Sequence, residues 1–229
     1  MPDLKLLLLQ TTDGLERQEE SQNLFSILTD SGLLAMVIYV VLFILFVIAV
    51  YIFAERYGAI KRAGRVDDNF MNNIRANVQS GNIQGAKALC QNTDSPVARM
   101  VEKGLQRIGK PLRDIDAAIE NVGNLEIFKL EKSLSTLASI AGAAPMIGFF
   151  GTVTGMIAAF YNMSTQQNVT PSVLAGGIYT ALITTAMGLA IGILAFVGYN
   201  VLVANVEKVV FKMERSTTEF MDLLQEPTA

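Results

Sequence analysis

Charged and apolar residues segregate along this chain in long blocks. Residues 31–54 carry no Asp, Glu, Lys or Arg, and neither do residues 133–206, a run of 74. A helix that crosses a bilayer needs about 20 apolar residues. The first block is therefore long enough for one crossing, and the second for two with a turn between them. The turn is read in YNMSTQQNVTPS, residues 161–172, which is polar and contains Thr170 and Pro171, an N-cap followed by proline at the first helical position. The pattern predicts an all-α membrane protein with spanning helices at 31–55, 126–160 and 171–206 and a short loop at 161–170. The second and third helices exceed what a bilayer needs, and their charged ends are expected to continue as helix into water.

The region 56–125 shows no period-two alternation. NFMNNIRANVQSGNIQGAKALCQN reads as two short amphipathic helices broken at Ser80 and Gly81. SPVARMVEKGLQRIG reads as a third, with Ser95 as N-cap and Pro96 in its first turn. Leu112, Ile115, Ile119, Val122 and Leu125 fall at helical spacing, as expected of a helix that runs on without interruption into the second span. These segments predict a helical layer beneath the membrane, completed by a tail at 207–229. Lys and Arg number two in residues 1–30, thirteen in 55–132, none in 161–172 and three in 207–229. The excess places 55–132 and the tail in the cytoplasm, with the N-terminal segment 1–30 and the 161–170 loop outside. LKLLLL is too short an apolar core for a signal peptide. Leu24, Phe25, Ile27 and Leu28 beside acids fit a short helix on the outer interface, whereas residues 1–20 read equally well as an unstructured start.

Composition narrows the chemistry. The chain is 51% hydrophobic and 17% charged with a net charge of -3, so no basic surface points to nucleic acid. It has no histidine and a single cysteine, Cys90, which removes disulfide frameworks, most soft-metal sites and Ser-His or Cys-His nucleophiles. GLQRIGKP at 104–111 fits seven positions of a phosphate-binding loop, but Pro111 stands where Ser or Thr should hold magnesium, and a helix rather than a strand precedes it. It reads as a helix end followed by proline. NVT at Asn168 reads as a chance match to a glycosylation site. No enzyme, cofactor or metal site follows from these residues.

The unusual feature of the apolar blocks is their small and hydroxyl residues. Every fourth residue of the third helix gives Gly176, Thr180, Thr184, Gly188 and Gly192. The second helix offers Ala144, Gly148, Gly151 or Thr152, Gly155 and Ala159, with Pro145 in mid-run. Two readings fit. The stripes pack helix against helix, since small residues let backbones approach in lipid, or they face a lumen that holds water or a partner. A proton path needs a titratable relay, and these spans carry no Asp, Glu or His. Any titrating group must then come from a partner. The first helix has no such stripe and reads as lipid-facing.

These residues resemble the ExbB/TolQ/MotA proton-channel family, with ExbB as the nearest branch. The resemblance runs from the first helix to the end of the third. It includes ERY at Glu55 and Arg56, AKALC and SPVAR in the cytoplasmic layer, and above all LEKSLSTLASIAGAAPMIGFFGTVTGMIAAF and GGIYTALITTAMGLAIGILAFVGYN. It implies a pentamer in the bacterial inner membrane whose second and third helices line a central lumen. That lumen would hold the single spanning helices of two ExbD-like partners, each with an aspartate, and motion would pass to a TonB-like protein serving outer-membrane transporters. Thr152 and Thr185 match the family's hydroxyls and are the expected contacts of that aspartate, with Thr154, Thr184 and Thr180 secondary. Gly148, Gly151, Gly155, Gly188 and Pro145 are the expected lumen-packing positions.

The chain departs from the family at Thr180, in GIYTALITTA, where ExbB and TolQ commonly carry glutamate. It therefore lacks the family's one buried acid. A TolQ-like subunit of a Tol–Pal motor, a stand-alone small-solute channel and a scaffold with merely packing threonines are the alternative readings. A channel would be expected to show inverted repeats or broken helices. MotA-like chains usually have four spans.

Overall fold

The computed structural model describes residues 32–65, 67, 69–165 and 171–225. The expected outer segment 1–30 with its interface helix, Asn168, the Thr170 cap and the last four residues lie outside them. The described residues form helices α1 (Gly32–Ala63), α2 (Phe70–Gln79), α3 (Ile83–Gln91), α4 (Pro96–Leu105), α5 (Leu112–Glu131), α6 (Leu134–Thr165) and α7 (Pro171–Gln225). Three stretches, Leu34–Ala63, Leu112–Thr165 and Ala175–Gln225, are long and apolar enough to cross a membrane.

Helix ends differ from those read off the charge pattern. α1 runs past residue 55 to Ala63, because AERYGAIKRA contains good helix formers and Lys61 and Arg62 complement the helix dipole in its last turn. α6 continues through 161–165, read above as loop. Ser164 and Thr165 donate to the Tyr161 carbonyl at 2.8 and 3.2 Å and so complete the last turn. The helix entering the second span is not continuous. It breaks at Lys132 and Ser133, where Ser133 takes φ 65° and its carbonyl accepts from Leu137 N–H at 3.2 Å. No glycine or proline marks this break, so spacing alone did not show it.

The chain divides into two compact units, and the division falls within α1, α6 and α7. The larger unit, residues 44–145 with 189 onward, contains the short helices. Ser95 caps α4 by accepting from Ala98 N–H at 3.1 Å, and Asn82 caps α3 by accepting from Gly85 N–H at 3.0 Å. The turn between α2 and α3 uses Gly81 at φ 75°. Phe70, Ile74, Val101, Ile119, Met213 and Phe220 are buried in this unit. The Phe220 ring occupies the space that a side chain at Gly104 would take. Gly104 is thus a packing glycine, not part of a phosphate loop. Of the apolar series on α5, Ile115 and Ile119 are buried, whereas Leu112 and Leu125 are exposed.

Glu126, 4% exposed, accepts from Arg99 and Lys129, both at 2.7 Å, and Arg99 also bridges to Asp94 at 2.8 Å. Lys212 of α7 donates to the Gly64 carbonyl at 2.8 Å, capping the turn that ends α1. Cys90 is buried, and burial first, then the charge of Glu102, pushes its thiol up to about 12. In the same unit Pro145 removes the N–H that the Ala141 carbonyl would otherwise receive. Gly192 covers this spot: a Cβ there would lie 2.5 Å from the proline Cγ and 3.1 Å from the Ala141 oxygen.

Candidate functional site: a hydroxyl cluster between two helices

The smaller unit contains residues 32–43, 146–165 and 171–188 among those described. Its α6 and α7 segments meet through glycine. A Cβ on Gly148 would lie 2.7 Å from the Thr184 carbonyl oxygen and 3.1 Å from Gly188 Cα. One on Gly151 would lie 2.5 Å from Thr184 Oγ1, one on Gly155 2.9 Å from Ala181 Cβ, and one on Gly177 2.8 Å from Ala159 Cβ. Removing those side chains lets the two backbones approach closely enough for hydroxyls to span the gap.

Three threonines use that proximity. Thr152 Oγ1 and Thr185 Oγ1 hydrogen-bond to each other. Thr152 also donates to the Ala181 carbonyl at 3.1 Å, and Thr185 to the Gly148 carbonyl at 3.1 Å. Thr184 reaches the Ala181 carbonyl at 2.6 Å and the Gly148 carbonyl at 3.2 Å. Thr184 is 1% exposed, so it lies inside the helix pair. Thr152 and Thr185 are half-buried.

The other candidates stand apart from this cluster. Thr154 Oγ1 bonds back to the Phe150 and Gly151 carbonyls of its own helix at 2.9 and 3.2 Å. Thr180 Oγ1 bonds back to the Gly176 carbonyl at 2.9 Å. Gly176 has open space where a Cβ would go, and its neighbour Gly177 makes the interhelical contact instead. Pro145 lies in the larger unit, against Gly192.

Sequence reasoning missed Tyr39. It is 4% exposed, and its phenol donates to the Thr180 carbonyl at 3.3 Å. Helix α1 is therefore not wholly lipid-facing: Ile38, Tyr39 and Leu42 form a buried seam, whereas Phe43 is 64% exposed. An isolated tyrosine in an apolar run was the available signal. Chemically, the cluster itself offers threonine hydroxyls and backbone carbonyls. No charged residue occurs in the smaller unit among those described, and its titratable side chains there are Tyr39, Tyr161 and Tyr179. No group of three or more His, Cys, Asp or Glu that could hold a metal occurs among the described residues.

The sequence model of the MotA/TolQ/ExbB proton channel family matches residues 92–215, which include every residue of the hydroxyl cluster. The Tol-Pal system protein TolQ of Pseudomonas aeruginosa is 26% identical over 213 residues, 88% of this chain and 92% of that protein. A putative biopolymer transport protein ExbB homolog of Methanothermobacter thermautotrophicus is 32% identical over 120 residues, 52% of this chain and 42% of that protein. The biopolymer transport protein ExbB of Neisseria gonorrhoeae is 39% identical over 74 residues, 32% of this chain and 34% of that protein.

Proposed function

Because the chain belongs to the MotA/TolQ/ExbB proton channel family, we propose that it is the stator subunit of a motor driven by the proton-motive force in a bacterial inner membrane. In this reading it is ExbB-like, works with an ExbD-like partner and energises TonB-dependent outer-membrane transport. Five copies, N-terminus outside and C-terminus in the cytoplasm, surround a lumen that holds two single-span partners. Thr152 and Thr185 face the partner's membrane aspartate, with Thr154, Thr180 and Thr184 as secondary polar positions. Gly148, Gly151, Gly155, Gly188 and Pro145 shape the packing around the lumen.

The observation that carries this reading is the half-buried Thr152–Thr185 hydroxyl pair in an uncharged run of 74 residues. Such a site binds a hydrogen-bonding group but cannot titrate near neutral pH. A proton path through it therefore takes its titrating group from another chain. Co-expression with a single-span neighbour that carries a membrane aspartate, followed by native mass spectrometry, tests this. Five copies of the chain with two of the partner are expected. A partner-free oligomer would sink the stator reading.

A TolQ-like role in a Tol–Pal motor is favoured by one observation, the relative named TolQ that matches along 88% of this chain and 92% of its own length. Deleting the gene separates the two roles. Loss of transporter-dependent uptake across the outer membrane supports the ExbB-like reading. Detergent sensitivity with intact uptake supports the TolQ-like one.

A further inference from the structure

The larger unit contains an open groove of about 340 Å³ between α7 and the junction of α5 with α6. Both walls alternate apolar and acidic residues. Ile127, Glu131 and Leu134 form one wall, and Val203, Glu207, Val210 and Glu214 form the other. The α7 set falls at steps of three and four residues, so it is one stripe of that helix. Leu134 is buried, whereas all three glutamates are exposed. Phe211 also lines the groove and is 66% exposed, an aromatic ring left without a cover. None of the three acids forms an ion pair among the described residues, and no cation lines the groove. Glu126 of the same unit is the contrast, since Arg99 and Lys129 both hold it.

We propose that this groove docks the basic cytoplasmic flank of a single-span partner, as a short amphipathic helix with Lys or Arg two turns apart and apolar residues between them. The inference rests on the stator reading above, which supplies the partner and the orientation. The groove lies where charge resumes at both ends of the 74-residue uncharged run: Lys132 precedes its first residue and Glu207 follows its last. A partner that crosses the same bilayer carries its Lys and Arg at the cytoplasmic end of its own span. Glu207 and Glu214 stand seven residues apart, about 10 Å along α7, and this sets the spacing of the matching cations. Val210 lies between them and meets the apolar residues of the occupant. In such helix-in-groove docking the apolar face supplies contact area, and complementary charge fixes register. A second copy of this chain is a poorer match. Its most exposed α5 aromatic, Phe128, adjoins Lys129, a cation that Glu126 already holds.

The test is photo-cross-linking of the full-length chain with its single-span partner in lipid nanodiscs. Phe211 is replaced by p-benzoylphenylalanine, which keeps the aromatic ring, and adducts are mapped by mass spectrometry. The expected adduct joins position 211 to the basic stretch that precedes the partner's span. Glu207→Gln with Glu214→Gln keeps side-chain shape at two exposed positions and removes both charges. It is expected to lower the adduct yield about three- to tenfold at low salt, with the difference shrinking as salt is added. Glu207→Lys with Glu214→Lys should abolish the adduct, and reversing the partner's facing cations to glutamate should restore it. An adduct on a second copy of the chain, an adduct on lipid alone, or a partner adduct whose yield ignores both glutamine substitutions overturns this inference and leaves the stator reading standing. A complex that holds no partner overturns the stator reading and this inference with it.

Discussion

Thr152 and Thr185, 33 residues apart, bond hydroxyl to hydroxyl and both reach the Gly148 carbonyl. The pair thus joins α6 to α7 with polar contacts, and both threonines stay half-buried. An interhelical hydrogen bond in a membrane contributes about 0.6–2 kcal/mol. Its loss is too small to dismantle a helix pair packed through glycines.

Function and assembly should therefore separate on mutation. Thr185→Val is expected to lower energised function at least about tenfold, while the complex still purifies intact. Thr185→Ser should keep most of the function. Thr154→Ala should lower function less than Thr185→Val, because the Thr154 hydroxyl bonds back to carbonyls of its own helix. Uptake or envelope phenotype beside the yield of assembled complex gives both readouts. Equal loss of assembly and function in Thr185→Val would mean that the hydroxyl merely packs.

Glycine substitutions should sort by what lies opposite. Gly148→Ala and Gly151→Ala meet the Thr184 carbonyl at 2.7 Å and Thr184 Oγ1 at 2.5 Å, and are expected to cost about 1–3 kcal/mol. Gly176→Ala meets nothing within 4 Å and should stay within about 0.5 kcal/mol of the parent. Thermal unfolding in detergent compares them.

At the break between α5 and α6, Ser133 sits at φ 65°, where L-residues pay roughly 1–2 kcal/mol. Ser133→Gly is expected to raise the unfolding midpoint, and Ser133→Val to lower it. The opposite order would show that this turn is not strained.

Cys90 should resist alkylation in the folded protein. With its thiol pushed up to about 12, the reactive thiolate is roughly one part in ten thousand at pH 8. Folding holds the proton, so the unfolded chain loses it first as pH passes the ordinary 9.0. The thiol's contribution to stability is complete below that and is lost between there and about 12. Maleimide labelling before and after denaturation checks the burial. Rapid labelling of the native protein would contradict it.

The three apolar helices were legible because charge is absent over whole segments, and the caps at Ser95 and Pro96 because their chemistry is local. The glycine and threonine stripe was legible in composition but blurred in register. A four-residue step advances about 40° beyond a full turn, so a stripe read that way drifts, which is why Gly177 rather than Gly176 makes the contact. The roles of Ala181 and Gly148 were hidden because they act through backbone carbonyls. Tyr39 was hidden because its partner is 141 residues away. The break at Ser133 carries no residue that announces it.

The most direct test of the central claim is proton entry into lipid vesicles under an imposed pH gradient, measured for the chain alone, for the chain with its single-span partner, and for that complex with Thr152→Val and Thr185→Val. Flux is expected only in the unmodified complex. Flux through the chain alone, or undiminished flux after both hydroxyls are removed, would contradict it.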